Sequence, residues 1–163
     1  MNETAILEAI RNTWLGETIR DISWTFAALE FLHFFGLCLL FGAMLVVDLR
    51  LVGALKVGTV KSTLRFTHLA IAGFVINVIT GAGFFASNPE NYWQNPLFKI
   101  KMVLVVLAGL NVIWFELKER QRVEALLEQE PCHLQTRVVA GLSLLLWTAI
   151  IVLGRFLPTL GAG

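Results

Sequence analysis

The sequence predicts an all-α fold: an integral membrane four-helix bundle preceded by a short amino-terminal amphipathic helix. Three observations carry this. Apolar residues make up 56 % of the chain and charged residues only 15 %, with a mean hydropathy of +0.71, which is a membrane profile. Apolar runs at about 22–47, 66–86, 97–117 and 138–157 are each roughly 20 residues or more, and at 1.5 Å per residue such a helix crosses a hydrocarbon core of about 30 Å. Backbone groups in lipid must find partners within their own segment, so an open sheet is excluded at that depth. Four such helices in 163 residues leave room for one transmembrane domain, 1–163.

Each element has its own local reason. In 1–20, Ile6, Leu7, Ile10 and Trp14 recur at helical spacing among Glu3, Glu8 and Arg11, the pattern of an interfacial helix on the outer membrane face or over the bundle mouth. This stretch lacks a basic start, a continuous apolar centre and a small-residue cleavage site, so it does not read as a signal peptide. The first run ends in Asp48-Leu49-Arg50. Asn88-Pro89 and Asn95-Pro96 mark the second connection as a turn-rich cap between helices two and three. The stretch 118–130 is a charged, helix-prone segment stopped by Pro131. Gly36, Gly42, Gly73, Gly81, Gly83 and Gly109 allow close contact between helices.

Lys and Arg in the connections set the orientation. The first connection carries Arg50, Lys56, Lys61 and Arg65, and the third carries Lys118, Arg120, Arg122 and Arg137; the second offers only Lys99 and Lys101. The positive-inside rule then puts connections one and three in the cytoplasm and both termini outside, with Trp24, Tyr92 and Trp93 at the outer interface.

Candidate chemistry lies inside the first run. Glu30 and His33 sit in an apolar segment, where an ionisable group must be sheltered, paired or bound to something. At 100° per residue Glu30, His33 and Asp48 fall within roughly 60° of one another. Depth along the helices sorts the polar residues into two groups. Glu30, His33, Lys101 and Arg155 form an outer-half cluster whose charges can compensate one another. Asp48, Arg50, His68, Asn111 and Ser143 form an inner-side group. Structural readings stand beside these: Lys101 and Arg155 snorkelling to the surface, Asp48 and Arg50 ending helix one, Asn77, Asn111 and Ser143 as interhelical hydrogen-bond glue, and Glu30 with His33 as a buried pair. Gly36, one turn from His33, also leaves space for a flat ring. Cys38 and Cys132 lie in a helix and a cytoplasmic connection, so no structural disulfide is expected. Cys132-His133 lacks the first cysteine of a covalent haem motif; with His68 these residues suit zinc or copper by ligand type, though not by spacing.

These residues carry a resemblance. Glu30-Phe-Leu-His33-Phe-Phe-Gly36, Gly42, Asp48-Leu-Arg50-Leu-Val-Gly53, Thr80-Gly81, Asn95-Pro96-Leu97-Phe98-Lys99-Ile100-Lys101, Gly109-Leu110-Asn111, Ser143-Leu-Leu-Leu-Trp147 and Gly154-Arg155 resemble a family of bacterial four-helix inner-membrane proteins of unknown function. A more distant likeness extends to CopD copper-resistance membrane domains and HemJ-type protoporphyrinogen oxidases. The resemblance implies a bacterial inner membrane with both termini periplasmic, and makes His33, Arg50 and Lys101 the positions to watch. Two function classes follow. In the first, His33 binds haem b for redox or haem-related chemistry, with Glu30, Gly36, Lys101 and Arg155 around the cofactor. His68 is not expected to be the second ligand, lying roughly 10–15 Å away in depth. In the second, Glu30 and His33 handle copper, another metal ion or protons in a CopD-like transport or accessory protein; a structural subunit without cofactor is a third option. The expected partner is the lipid bilayer, with a homo-oligomer or a larger membrane complex open and no nucleic acid.

Overall fold

The computed structural model describes residues 2–56, 60–125 and 132–160, with the side chains of Val60, Pro158, Thr159 and Leu160 left aside. The described residues contain helices and no strand. Four helical stretches are long and apolar enough to cross a membrane: Thr25–Val52, Lys61–Ser87, Pro96–Glu124 and Leu134–Leu157. The chain is an all-α four-helix bundle.

The amino-terminal stretch is two helices, α1 (Glu3–Arg11) and α2 (Trp14–Asp21), where the periodicity suggests one. Asn12-Thr13 breaks it: the Thr13 hydroxyl accepts from Gly16 N at 3.3 Å, the N-cap geometry that Thr favours over continuing a helix. The pair folds over one end of the bundle. Leu7 and Ile19 are buried, Arg20 Nη1 donates to Arg11 O at 2.8 Å and Ser87 O at 3.3 Å, and Trp93 Nε1 donates to Glu3.

The first span, α3 (Thr25–Val52), runs past Asp48 and Arg50. It stops at Gly53, whose φ of 90° is a left-handed conformation that glycine adopts without steric cost. Ala54 N donates to Leu49 O at 3.0 Å, closing the turn as in a Schellman motif. A short helix α4 (Val60–Thr63) and a 3-10 turn (Leu64–Phe66) lead into α5 (Thr67–Ser87). Helix α6 (Pro89–Gln94) forms the turn-rich cap. Asn95 then caps α7 (Pro96–Trp114), accepting from Leu97 N at 2.9 Å, while its Nδ2 donates to Leu157 O at 3.2 Å. Helix α7 passes into a π-helical turn (Phe115–Glu119) and then α8 (Arg120–Glu124). The last span is α9 (Leu134–Leu160). Of the charged segment 118–130, residues 126–130 lie outside the described residues.

Close backbone packing runs in the order α5, α3, α9, α7. Helices α5 and α7 meet instead through side chains, with Phe85 stacked on Phe98 at 5.6 Å between centroids. The core is apolar at mid-span: Leu40, Met44, Ala70, Ala108, Leu146 and Trp147 pack together with Phe74. Outward faces such as Phe31, Ile79, Val106 and Leu145 are bare, as expected where apolar side chains meet lipid.

Candidate functional site

The site is positioned by the crossing of α3 and α5. A Cβ on Gly73 would lie 2.5 Å from both Gly36 O and Leu40 N, and one on Gly36 would lie 2.8 Å from Ile76 Cγ2 and Asn77 Nδ2. The helices therefore touch backbone to backbone, and α5 fills the space beside Gly36 that the sequence offers to a flat ring. Small residues at such crossings are the normal means of close helix contact.

One turn above this contact, His33 faces Thr80 across the interface, with Nδ1 2.7 Å from the hydroxyl. The Thr80 hydroxyl lies 2.7 Å from Ile76 O, so its single proton goes to that carbonyl. The hydroxyl must then accept from His33 Nδ1–H. In the neutral ring this leaves the Nε2 lone pair free, and the second ring nitrogen is the one available to a ligand. Phe84 sets the ring edge-on at 5.4 Å between centroids. Gly81 approaches only to ordinary contact, a Cβ there lying 4.0 Å from His33 Cε1. Lys101 lies within electrostatic reach of His33, with its Nζ 3.3 Å from the Cβ position of Gly154, so α7 and α9 bring a cation to the same level. Glu30 and Arg155 are exposed, and the ion pairs among the described residues lie elsewhere. His33 and Lys101 thus share a level within electrostatic reach, without an ion pair to Glu30 or from Arg155.

The other end of the bundle gathers Asp48 from α3, Thr67 from α5, Asn111 from α7 and Ser143 from α9 around a cavity of about 20 Å³. Asp48 and Ser143 are buried at 3 % and 2 % exposure. The Ser143 hydroxyl approaches the Asp48 carboxyl, but neither Ser143 Oγ nor Asp48 Oδ2 has a partner in good hydrogen-bond geometry. Asn111 Nδ2 donates to Val139 O at 3.1 Å, tying α7 to α9. Arg50 turns away and donates to Leu55 O at 3.1 Å, so it closes the end of α3 and Asp48 does not. His68 is exposed in the first turn of α5, twelve residues and about 18 Å along the helix from the Thr80 that holds His33.

Sequence reasoning passed over Glu119 and Thr136. Glu119 sits in the charged segment and reads as solvated, yet both residues are fully buried at 0 % exposure. Thr136 Oγ1 donates to Glu119 Oε2 at 2.5 Å, and the half-exposed Arg122 donates to Oε1 at 3.2 Å. The signal that could have found Glu119 is structural: the π-helical turn 115–119 rotates its side chain inward. Nearby, burial raises the Cys132 thiol above its ordinary range, opposed by the guanidinium charges of Arg50 and Arg137. Cys38 and Cys132 are both free thiols.

Among the described residues no group of three or more His, Cys, Asp and Glu side chains is arranged to hold a metal ion. No family model, curated protein or solved structure matches the chain.

Proposed function

We propose that this chain is a multi-pass protein of a bacterial inner membrane, both termini periplasmic, in which His33 is the axial ligand of a b-type haem. The observation that supports this most directly is the His33–Thr80 hydrogen bond. A ligating histidine generally donates its other ring N–H to an oxygen, which fixes tautomer and orientation and raises ligand basicity. The donor set discriminates between groups. A closed zinc or copper site needs three or four protein ligands, and among the described residues no such group accompanies His33. A porphyrin brings four nitrogens of its own, so one imidazole is sufficient. Lys101 supplies positive charge suited to a carboxylate side arm. When bound, the group would supply one-electron chemistry within the membrane. The chain's own part is to offer Nε2, hold it through Thr80 and place a cation nearby.

An absorption spectrum of protein purified in mild detergent from haem-replete cells tests this. A Soret band is expected in the wild type, abolished in His33→Ala and intact in His68→Ala. Thr80→Val should keep the band but lower haem occupancy, because the imidazole loses its orienting acceptor. A colourless, metal-free wild type would overturn the haem reading and favour an accessory or transport subunit. The bare apolar faces of the spans are assigned to the lipid bilayer; a particle mass above one chain in detergent would assign part of them to a homo-oligomer or a larger membrane complex.

A further inference from the structure

We infer that the cavity between α3, α5, α7 and α9 is a binding site for one sodium ion, held by the Asp48 carboxylate with neutral oxygens from Ser143, Asn111 and Thr67. Its volume of about 20 Å³ accommodates one water-sized particle and nothing larger. Two atoms on its wall, Asp48 Oδ2 and Ser143 Oγ, are buried without partners. Asn111 spends its Nδ2 on Val139 O, which leaves Oδ1 as its acceptor, and the Thr67 side chain also lines the space.

Charge decides against a simple water. Asp48 forms no ion pair among the described residues. The nearest guanidinium in sequence, Arg50, donates Nη1 to the Leu55 carbonyl, while its buried Nε has no partner. Arg120, whose partner Glu116 lines the cavity, already donates Nη1 to both Glu116 oxygens at 2.7 and 2.9 Å and Nε to Glu124 at 3.0 Å. A water would satisfy the hydrogen bonds but leave an ionised carboxylate uncompensated, which is strongly unfavourable at this depth, so the carboxyl takes up either a proton or a cation. The donors are all hard oxygens, which excludes a soft metal. With Glu116 neutralised by Arg120, a single free carboxylate is too little charge for calcium or magnesium. A small monovalent cation matches the charge, the ligand type and the volume. The cavity also sits where α7 changes from α to π at Phe115 and Glu116, and such local π turns recur at functional sites. Asp48 is one turn from the end of α3 at Val52, so an ion could enter from that side. This inference does not depend on the His33 reading, since haem content and sodium binding are read separately.

The test is thermal unfolding of the purified full chain in mild detergent, with NaCl titrated against choline chloride at constant ionic strength and mildly alkaline pH. Binding of radiolabelled sodium is the second measurement. The wild type should show a saturable, sodium-specific rise in Tm and one bound ion per chain. Asp48→Asn keeps the shape and removes the charge, and should lose both responses; Ser143→Ala should weaken both. If Asp48→Asn does not fold, loss of affinity in Ser143→Ala supports the site and an unchanged affinity overturns it. A folded wild type with no sodium-specific rise would overturn it too. So would an infrared band of a protonated Asp48 carboxyl that sodium does not remove, because a proton would then be the compensating charge.

Discussion

Gly73→Ala is expected to damage the α3–α5 seam more than the same methyl at Gly36 or Gly42. The new Cβ would stand 2.5 Å from Gly36 O and from Leu40 N, both backbone atoms of α3 that no side-chain rotation can move. Ordinary contact is near 3.4 Å, so the two helices would have to part by roughly 1 Å, and a gap of that size forfeits a quarter to a half of each dispersion contact along the seam. At about 0.1–0.2 kcal/mol per atom pair, over some tens of pairs, the loss is about 1–3 kcal/mol, the usual range for overpacking. Helix propensity pulls the other way, since Ala is favoured over Gly by about 1 kcal/mol, so the net cost is smaller than the steric loss. Gly42 provides the control: nothing lies within 4 Å of its Cβ position, so Gly42→Ala should be neutral or stabilising. Gly36→Ala should fall between, because it meets the Ile76 and Asn77 side chains, which yield further than backbone. Reversible unfolding in detergent would measure all three. Equal effects at Gly73 and Gly42 would refute the claim that α3 and α5 touch through their backbones.

Thr136→Val leaves one oxygen of the fully buried Glu119 without its donor and should destabilise by about 1.5–3 kcal/mol; a change within error would show that the carboxyl is neutral or hydrated. Cys132 should alkylate more slowly in the folded chain than in the unfolded one at the same pH, because burial holds the thiol protonated and the thiolate is the nucleophile. Arg137→Ala should slow it further by removing a stabilising cation, and an unchanged rate would exclude electrostatic control. Cysteine placed at exposed Asn91 should be labelled by an impermeant reagent from the periplasm, and cysteine at exposed Gln121 only after the membrane is opened; the reverse pattern would invert the topology.

Spans were legible because lipid imposes a length and a composition that few other environments demand. The turn at Asn95-Pro96 was legible, and there the Asn side chain accepts from Leu97 N; the left-handed stop at Gly53 was not. The helix ends were less so: α3 runs to Val52 and α9 starts at Leu134, because polar residues at an interface do not end a helix unless they also cap it. Depth alone sorted Lys101 with His33 and Asn111 with Asp48 and Ser143, since a rise of 1.5 Å per residue is a reliable ruler. What depth cannot supply is azimuth. Glu30 shares a helix face with His33 by arithmetic, yet it is exposed while His33 turns to Thr80. A face of some 60° is wide enough to include both a helix seam and its lipid-facing edge. Glu119 was hidden for a related reason: the π turn shifts the phase of everything after it, and the sequence carries no sign of where α becomes π.

The two polar levels are separated by a dry layer, and this constrains what the bundle can do. His33 and Asp48 are fifteen residues apart on α3, about 22 Å along the axis. Between them stand Leu40, Met44, Ala70, Leu146 and Trp147, packed with Phe74 at 6.1 Å from the Trp147 ring. Asn77 extends the upper level by one turn through its bond to Gly73 O at 2.9 Å, but Trp147 Nε1, buried in the layer without a partner, is a donor alone and cannot relay a proton onward. A continuous polar wire from one level to the other is therefore absent among the described residues. The Gly36–Gly73 contact at the top of the layer also opposes sliding, because backbone atoms there leave no slack. Passage of an ion or proton between the levels would require α3 and α5 to part. The packing at mid-span thus favours two separate sites over one path, and it is the α3–α5 seam that keeps them separate.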